Sequence, residues 1–285
     1  MRINHNISSM VTQGALFSVN RDMSRSLERL STGLRINRAS DDAAGLGVSE
    51  NLRTQILGAS QAQRNAQDGI AAMQIAEGSA NEISAILQRM RELAIQSAND
   101  TLTSTERAYT NAEFTNLKSE IDRIANVTNY NGMGLISSAT TRFGVSTGTA
   151  GSGSVLWIDA NNTVGTDSIT VTIATLSAQK LSVNASSVAT QSNAINAVSS
   201  IDSAIDSVNS MRANIGAFVN RLEHAINNLI IAETNQSAAE SMIRDVDFAS
   251  ESTRFTRSQI LTQSATAMLA QSNMVPSSVL KLLGG

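Results

Sequence analysis

The chain has no cysteine, one proline and one tryptophan. It can therefore form neither disulfides nor thiolate metal sites, and it offers no thiol nucleophile. Aromatic residues make up only 3% of the sequence. Compact globular cores rely on Phe, Tyr and Trp, so here Leu, Ile, Val, Met and Ala must do the burying, as in elongated helical packings. No apolar run approaches the ~20 residues that a membrane span needs, so membrane insertion is not expected. The N-terminal stretch lacks the apolar core and small-residue cleavage site of a secretory signal. If the protein is exported, it leaves without a cleaved signal peptide. A net charge of −3 with no basic block disfavours nucleic acid as a partner. The two histidines, His5 and His224, belong to no HExxH pattern, and no phosphate loop or dinucleotide fingerprint is present. Catalysis, metal binding and a cofactor are accordingly not expected.

What the chain does have is helical periodicity. In the segment 3–34, Leu16, Val19, Met23, Leu27, Leu30 and Leu34 recur at helical spacing, with no ionisable side chain between His5 and Arg21. From Ala43 to about Asn99 a second stripe runs through Leu52, Ile56, Ala59, Ala66, Ile70 and Met73. A phase slip is expected at Ile75–Gly78, after which the stripe resumes through Ala80, Ile83, Leu87, Met90 and Ala94. A helix of that length would measure ~85 Å, far beyond the radius of gyration of roughly 19 Å expected for a globule of this length. The expected architecture is mainly α, a long antiparallel coiled-coil rod with paired terminal helices.

A turn at Asn99–Arg107 predicts an antiparallel return helix carrying Phe114, Leu117, Ile121 and Ile124, which fades in an Asn/Gly cluster before Gly134. Residues 137–193 are rich in Ser, Thr, Gly and Asn. Within them Val155–Ile158 and Ile169–Ile173 read as strands, predicting a small antiparallel β element. The third helical pattern runs from Val198 to Leu229 in steps of three and four, with Arg212 as its one non-aliphatic position. Arg212 reads either as a cation snorkelling to a carboxylate at the bundle edge or as an intermolecular contact. Beyond Arg257 the only charged side chain is Lys281, and Pro276 should kink or restart the last helix.

Two nearly uncharged amphipathic ends flank the rod. Ile7, Leu16, Leu27 and Leu30 at one end, with Leu261, Met268, Val275, Val279 and Leu282 at the other, form candidate polymerisation surfaces, because such helices gain stability mainly from packing. Heterologous contacts between identical rods give filaments when the rotation does not close. Between the first end and the rod lies Thr32–Ser49, TGLRINRASDDAAGLGVS. Ser40, Asp41 and Asp42 are placed to cap a helix start. Arg35 and Arg38 exceed what a cap requires, so Arg35, Asn37, Arg38, Asp41 and Asp42 form a candidate joint. In it the arginines are expected to bond the aspartates or a neighbouring subunit.

These stretches carry a family resemblance. LERLSTGLRINRASDDAAGL at Leu27–Leu46, QRMRELAIQSAN at Gln88–Asn99, EIDRIA at Glu120–Ala125, NYNGMGL at Asn129–Leu135, Ile243–Asn273 and Val275–Leu283 resemble bacterial flagellin, over nearly the whole chain. The resemblance implies a subunit that polymerises into the flagellar filament for swimming motility, with a hook–filament junction protein as the alternative. It implies segments at 1–43 (inner-tube helix and joint), 44–136 (rod), 137–193 (variable β segment), 194–245 (rod) and 246–285 (inner-tube helix). It implies a filament outside the cell or in the periplasm, export through the flagellar type III apparatus, a secretion chaperone at the C-terminus, and filament-cap and junction proteins as partners. It also matches Arg89, Leu93 and Glu113 to residues read by a Toll-like receptor, although Leu93 has a second reading as a bundle residue. Residues 137–193 would be either O-glycosylated or a bare solvated hairpin.

Overall fold

The computed structural model describes residues 5–137, 143, 154–161 and 167–283, with side chains described up to residue 274. Among these residues, five helices and four short strands follow in the order α1 (Ile7–Thr32), α2 (Ala43–Ala98), α3 (Ser104–Val127), β1 (Asn129–Tyr130), β2 (Met133–Gly134), β3 (Ser154–Trp157), β4 (Ser168–Val171), α4 (Gln191–Arg244) and α5 (Phe248–Leu283). The fold is mainly α with small antiparallel hairpins in the middle of the chain, as the sequence predicts. It divides into two compact units: Met1–Thr54 with Asn235–Gly285, and Gln55–Thr234.

In the second unit α2 and α4 run antiparallel. Gln63 donates to Glu233 (2.7 Å), Arg91 to Asp202 (2.6 Å), and the Gln191 side-chain amide to the Ala98 carbonyl (3.2 Å). The buried face of α2 passes through Ala59, Ala62, Ala66, Gly69, Met73, Ala76, Ala80, Ile83, Leu87, Met90, Ala94 and Ser97. Those steps alternate three and four throughout, so the expected phase slip does not exist. Gly69 and Ala76 continue the stripe, and at Gly69 the missing side chain leaves room for the Leu156 and Leu222 side chains. A similar adjustment holds on α4, where Ala204 and Met211 are the buried residues beside Ile201, Val208, Ile215, Leu222 and Leu229. Arg212 therefore lies one position off the seam, half-buried, and its Nε has no hydrogen-bond partner among the described residues. No described carboxylate pairs with it, so neither the seam nor a bridge at the bundle edge accounts for it.

The return helix α3 starts with a capping box. The Thr103 side chain accepts from the Glu106 N–H, while the Glu106 carboxylate accepts from the Thr103 N–H at 2.7 Å. It runs antiparallel to α2, with Ser97 bonded to Thr110 (2.8 Å) and Thr128 to Ser79 (2.9 Å). At its end Asn131 (φ 50°) and Gly132 (φ 76°) join β1 to β2. Two consecutive positive φ values are what a type I′ hairpin turn requires, and Asn-Gly supplies them at little cost.

The β3–β4 hairpin pairs Ser154 with Val171 and Trp157 with Ser168. It packs on α2 at two glycines. A Cβ on Gly58 would lie 2.5 Å from the Ala160 Cβ, and one on Gly69 would lie 2.6 Å from Leu156 Cδ1. The second strand ends at Val171, short of the predicted Ile173. From Ile173 onward the chain turns into the core as irregular structure, burying Leu176, Ala178, Leu181, Val183 and Val188. Its backbone is held by α3 side chains: Asp122 accepts from the Ala178 N–H (2.8 Å), and Asn111 from the Val188 N–H (3.0 Å). Irregular buried backbone must find such partners, and a pattern of alternating residues does not reveal them.

In the first unit α1 and α5 pair antiparallel, as expected of terminal helices. The register is set by Ser26 with Glu251, Thr262 with Asn20 (3.5 Å), and the Asn6 amide donating to the Ser272 carbonyl (2.9 Å). Helix α1 opens on Asn6, whose side chain accepts from the Ser9 N–H, and closes on Gly33 at φ 74°. A left-handed residue is the usual way to end a helix, and glycine adopts that conformation without strain. Helix α5 runs unbroken through Pro276 to Leu283, so the expected restart does not occur. A proline removes one backbone N–H, a local loss that a long helix can absorb.

Candidate self-assembly interface and joint

The paired ends are built around a seam of heptad spacing. On α1 the positions withdrawn from solvent at that spacing are Ser9, Thr12, Leu16, Val19, Met23, Ser26 and Leu30. On α5 they are Glu251, Phe255, Ser258, Thr262, Ala265, Leu269 and Ser272. Three of the first seven and four of the second are polar or charged, and only Ser26 and Glu251 are fully buried. The large apolar side chains lie mostly elsewhere. Ile7, Met10, Val11, Phe17 and Leu27 on α1, and Phe248, Ile260, Leu261, Met268 and Met274 on α5, are all exposed, Phe17 at 68%.

Of the residues expected to polymerise, Ile7, Leu27, Leu261 and Met268 are on this exposed face, whereas Leu16 and Leu30 are half-buried in the seam. The side chains of Val275, Val279 and Leu282 lie outside the described residues. The pair is thus partly inverted, with polar groups inside and apolar groups outside. Surface of that kind marks an interaction site.

The joint follows α1 directly. Leu34 pairs with Asp245 in an isolated antiparallel bridge; the Arg35 N–H donates to the Arg244 carbonyl (2.6 Å) and the Val246 N–H to the Gly33 carbonyl (3.0 Å). The Arg35 guanidinium donates to the Ile243 carbonyl at 2.5 Å. Arg38 donates to Glu28 on α1, at 3.1 Å from Nε and 3.0 Å from Nη2. Asn37 donates to the Leu34 carbonyl.

The aspartates bind backbone. Asp41 accepts from the N–H groups of Asn37 (3.3 Å) and Arg38 (3.2 Å), and Asp42 accepts from the Gly45 N–H (2.9 Å), capping α2. The arginine side chains therefore do not bond the aspartates within the chain, contrary to the first expectation. The aspartates' lone pairs are taken up by N–H groups of the turn, and the arginines reach across to the other strand of the joint and back to α1. Ile36 is buried beneath this turn, and a Cβ on Gly45 would sit 2.5 Å from Asp42 Oδ2 and 2.9 Å from Ile36 Cδ1. That crowding explains the glycine.

Two residues of this region give no signal in the sequence. Arg244 forms an ion pair with Glu50 at 2.8 Å. Glu251, 4% exposed, accepts from the Ser26 hydroxyl at 2.5 Å and faces Arg29 (3.8 Å) and Arg254 (3.6 Å). A glutamate in a helix ordinarily reads as a solvated face, and only its seven-residue step from Ser258 could have hinted otherwise.

In the second unit, Arg89 and Glu113 meet on the surface. Arg89 donates to Glu113 at 2.9 and 3.0 Å and to Glu92 at 3.0 Å. These hydrogen bonds, first that to Glu113, hold the guanidinium above its ordinary value. Leu93 is fully buried, so its side chain belongs to the core and is not presented beside them. Among the described residues no group of three or more His, Asp or Glu is placed to hold a metal, and no helix is long and apolar enough to cross a membrane.

Residues 3–141 match the bacterial flagellin N-terminal helical region, and residues 198–283 match the bacterial flagellin C-terminal helical region. The chain is 43% identical over 291 residues to the flagellar filament 33 kDa core protein of Treponema phagedenis. It is 44% identical over 283 residues to the flagellin of Halalkalibacterium halodurans and 42% identical over 308 residues to that of Bacillus subtilis. In each case the alignment covers 99% of this chain and 100% of the relative.

Proposed function

The chain belongs to the bacterial flagellin family, the non-enzymatic structural subunits of the flagellar filament, and we propose that it joins its neighbours through the apolar residues that α1 and α5 leave outside their own seam. The partner is a second copy of the chain. The observation that supports this is the inversion of the terminal pair: Phe17, Leu27, Leu261 and Met268 stand in solvent while Ser26 and Glu251 are buried. The test is assembly of a Phe17→Ser, Leu261→Ser variant, read by sedimentation and electron microscopy, with circular dichroism of the soluble chain as control. We expect at least tenfold less sedimentable filament at unchanged helix content. Parental filament yield would overturn the proposal.

In this reading the terminal pair forms the inner tube of the filament, and the bundle helices form the outer one. Arg35, Asn37, Arg38, Asp41 and Asp42 fix the geometry of the joint between them. The same exposed α5 residues would be guarded by a flagellar secretion chaperone before export through the type III apparatus, and filament-cap and junction proteins would meet the growing and basal ends. Labelling with a membrane-impermeant dye locates the filament. An external filament labels on intact cells, and a periplasmic one only after the outer membrane is opened.

The surface pair Arg89–Glu113 supports recognition of the monomer by a Toll-like receptor, without a direct contribution from buried Leu93. A reporter-cell assay with Arg89→Ala and Glu113→Ala monomers should lose signal. Retention of full signal by both would remove this part of the proposal.

A further inference from the structure

We infer that Glu251, bonded to Ser26 and flanked by Arg29, is the register lock of the α1–α5 seam. Half of the seam positions are polar, so apolar packing alone discriminates weakly between one alignment and another displaced by a heptad. Polar residues at seam positions are the usual means by which paired helices specify register. Here the two fully buried seam residues are Ser26 and Glu251, and they meet each other at 2.5 Å. Arg29 lies 3.8 Å from the same carboxylate on the α1 side and Arg254 lies 3.6 Å away on its own helix. Arg29 Nε, buried and without a hydrogen-bond partner among the described residues, shows that the guanidinium is held there at some expense of its own satisfaction.

Sliding α5 by seven residues in one direction would place Glu251 opposite Val19, which has no donor side chain. Sliding it the other way would place Glu251 opposite Gly33, beyond the end of α1. Either slip takes the carboxylate from its Ser26 donor and from Arg29, leaving it only the exposed Arg254 of its own helix, and leaves Ser26 without its acceptor. The native alignment is the one that satisfies both. The lock selects among alignments, and the outward apolar residues take no part in it.

Because the chain contains no cysteine, disulfide trapping can read the register directly. Asn20→Cys with Thr262→Cys reports the native alignment, since these side chains approach to 3.5 Å. Asn20→Cys with Leu269→Cys or with Phe255→Cys reports a slip of one heptad either way. Each pair is placed in the full-length chain and oxidised mildly, in both the soluble protein and sedimented filaments, so the readout does not depend on assembly. Without further change, the native pair should trap at least tenfold more than either slipped pair. Glu251→Leu should bring a slipped pair to within about threefold of the native one. Glu251→Gln keeps an oxygen to accept from Ser26 and should retain the parental pattern. An unaltered pattern in Glu251→Leu would overturn the inference. So would equal loss of trapping at all three pairs, since the node would then hold the helices together without choosing their register.

Discussion

The α2–α3–α4 core and the α1–α5 seam are both made by long antiparallel helices with heptad spacing, yet they use it in opposite ways. The core excludes solvent completely from Met73, Ile83, Leu87, Met90, Phe114, Ile121, Ile201 and Val208, all apolar. The seam buries Ser26 and Glu251 and turns Phe17, Leu27 and Met268 outward. A bundle of the first kind is complete as a single chain. A pair of the second kind is complete only when something else covers its outer face, so the difference separates what stabilises the monomer from what builds the assembly.

The sharpest test of that contrast is truncation on each side of it. Phe114→Ala removes a fully buried ring from the core and should cost about 3–5 kcal/mol, measured by urea denaturation of the soluble chain. Leu27→Ala on the exposed face should stay within about 0.5 kcal/mol of the parent while sharply reducing filament yield. If the two substitutions destabilise the monomer equally, the contrast fails.

A smaller effect should follow from filling the notch beneath the hairpin. A Cβ at Gly69 already falls 2.6 Å from Leu156 Cδ1, so Gly69→Val must displace the β3–β4 hairpin. Overpacking of this sort costs about 1–3 kcal/mol. Trp157 fluorescence should respond as well, because its carbonyl accepts from Asn65 on the same face of α2. Gly78, where an added Cβ would meet open space, is the control: Gly78→Ala should be neutral or slightly stabilising.

At the joint the expected change is smaller again. Asp42 caps α2 through the Gly45 N–H, and loss of such a cap costs about 1 kcal/mol. Asp41→Ala with Asp42→Ala should therefore lower monomer stability modestly but impair assembly and motility more, because the turn that carries Arg38 to Glu28 loses its closure. Wild-type motility in the double variant would reduce the joint to a simple helix cap.

Much of this organisation was legible in the chain. The helices and the pairing of the ends followed from periodicity and from the loss of charge towards each terminus. The errors share a cause: hydrophobic stripes are read from large residues. Gly69 and Ala76 carry the α2 seam through the expected slip, and Met211 takes the seam position expected of Arg212. Leu93 fits any apolar stripe, and its burial supports the second of its two readings, that of a bundle residue. Glu251 is the extreme case. Its partner Ser26 lies 225 residues away in the chain, and only its seven-residue step from Ser258 distinguishes it locally from a solvated glutamate. The partners of Arg35 and Arg38 were missed because neighbouring aspartates look like natural counter-ions, whereas turn N–H groups had already claimed them.

The smallest effect expected concerns the start of α3, inside the well-packed unit. The Glu106 carboxylate accepts from the Thr103 N–H and hydroxyl, and those bonds, the backbone one first, hold it below the ordinary glutamate range. A carboxylate with a depressed folded-state pKa contributes stability above its unfolded pKa and loses that contribution as the pH falls through the folded value. Acidification should therefore loosen the first turn of α3 before it affects the core, seen as faster amide exchange at residues 103–107 relative to Ile121. Glu106→Gln carries no titrating group at this position, so the exchange difference between the two sites, corrected for intrinsic rates, should become independent of pH over the same interval. If the parent and the variant respond alike, the capping box is not what acid releases, and the order of loosening, helix start before core, must have another source.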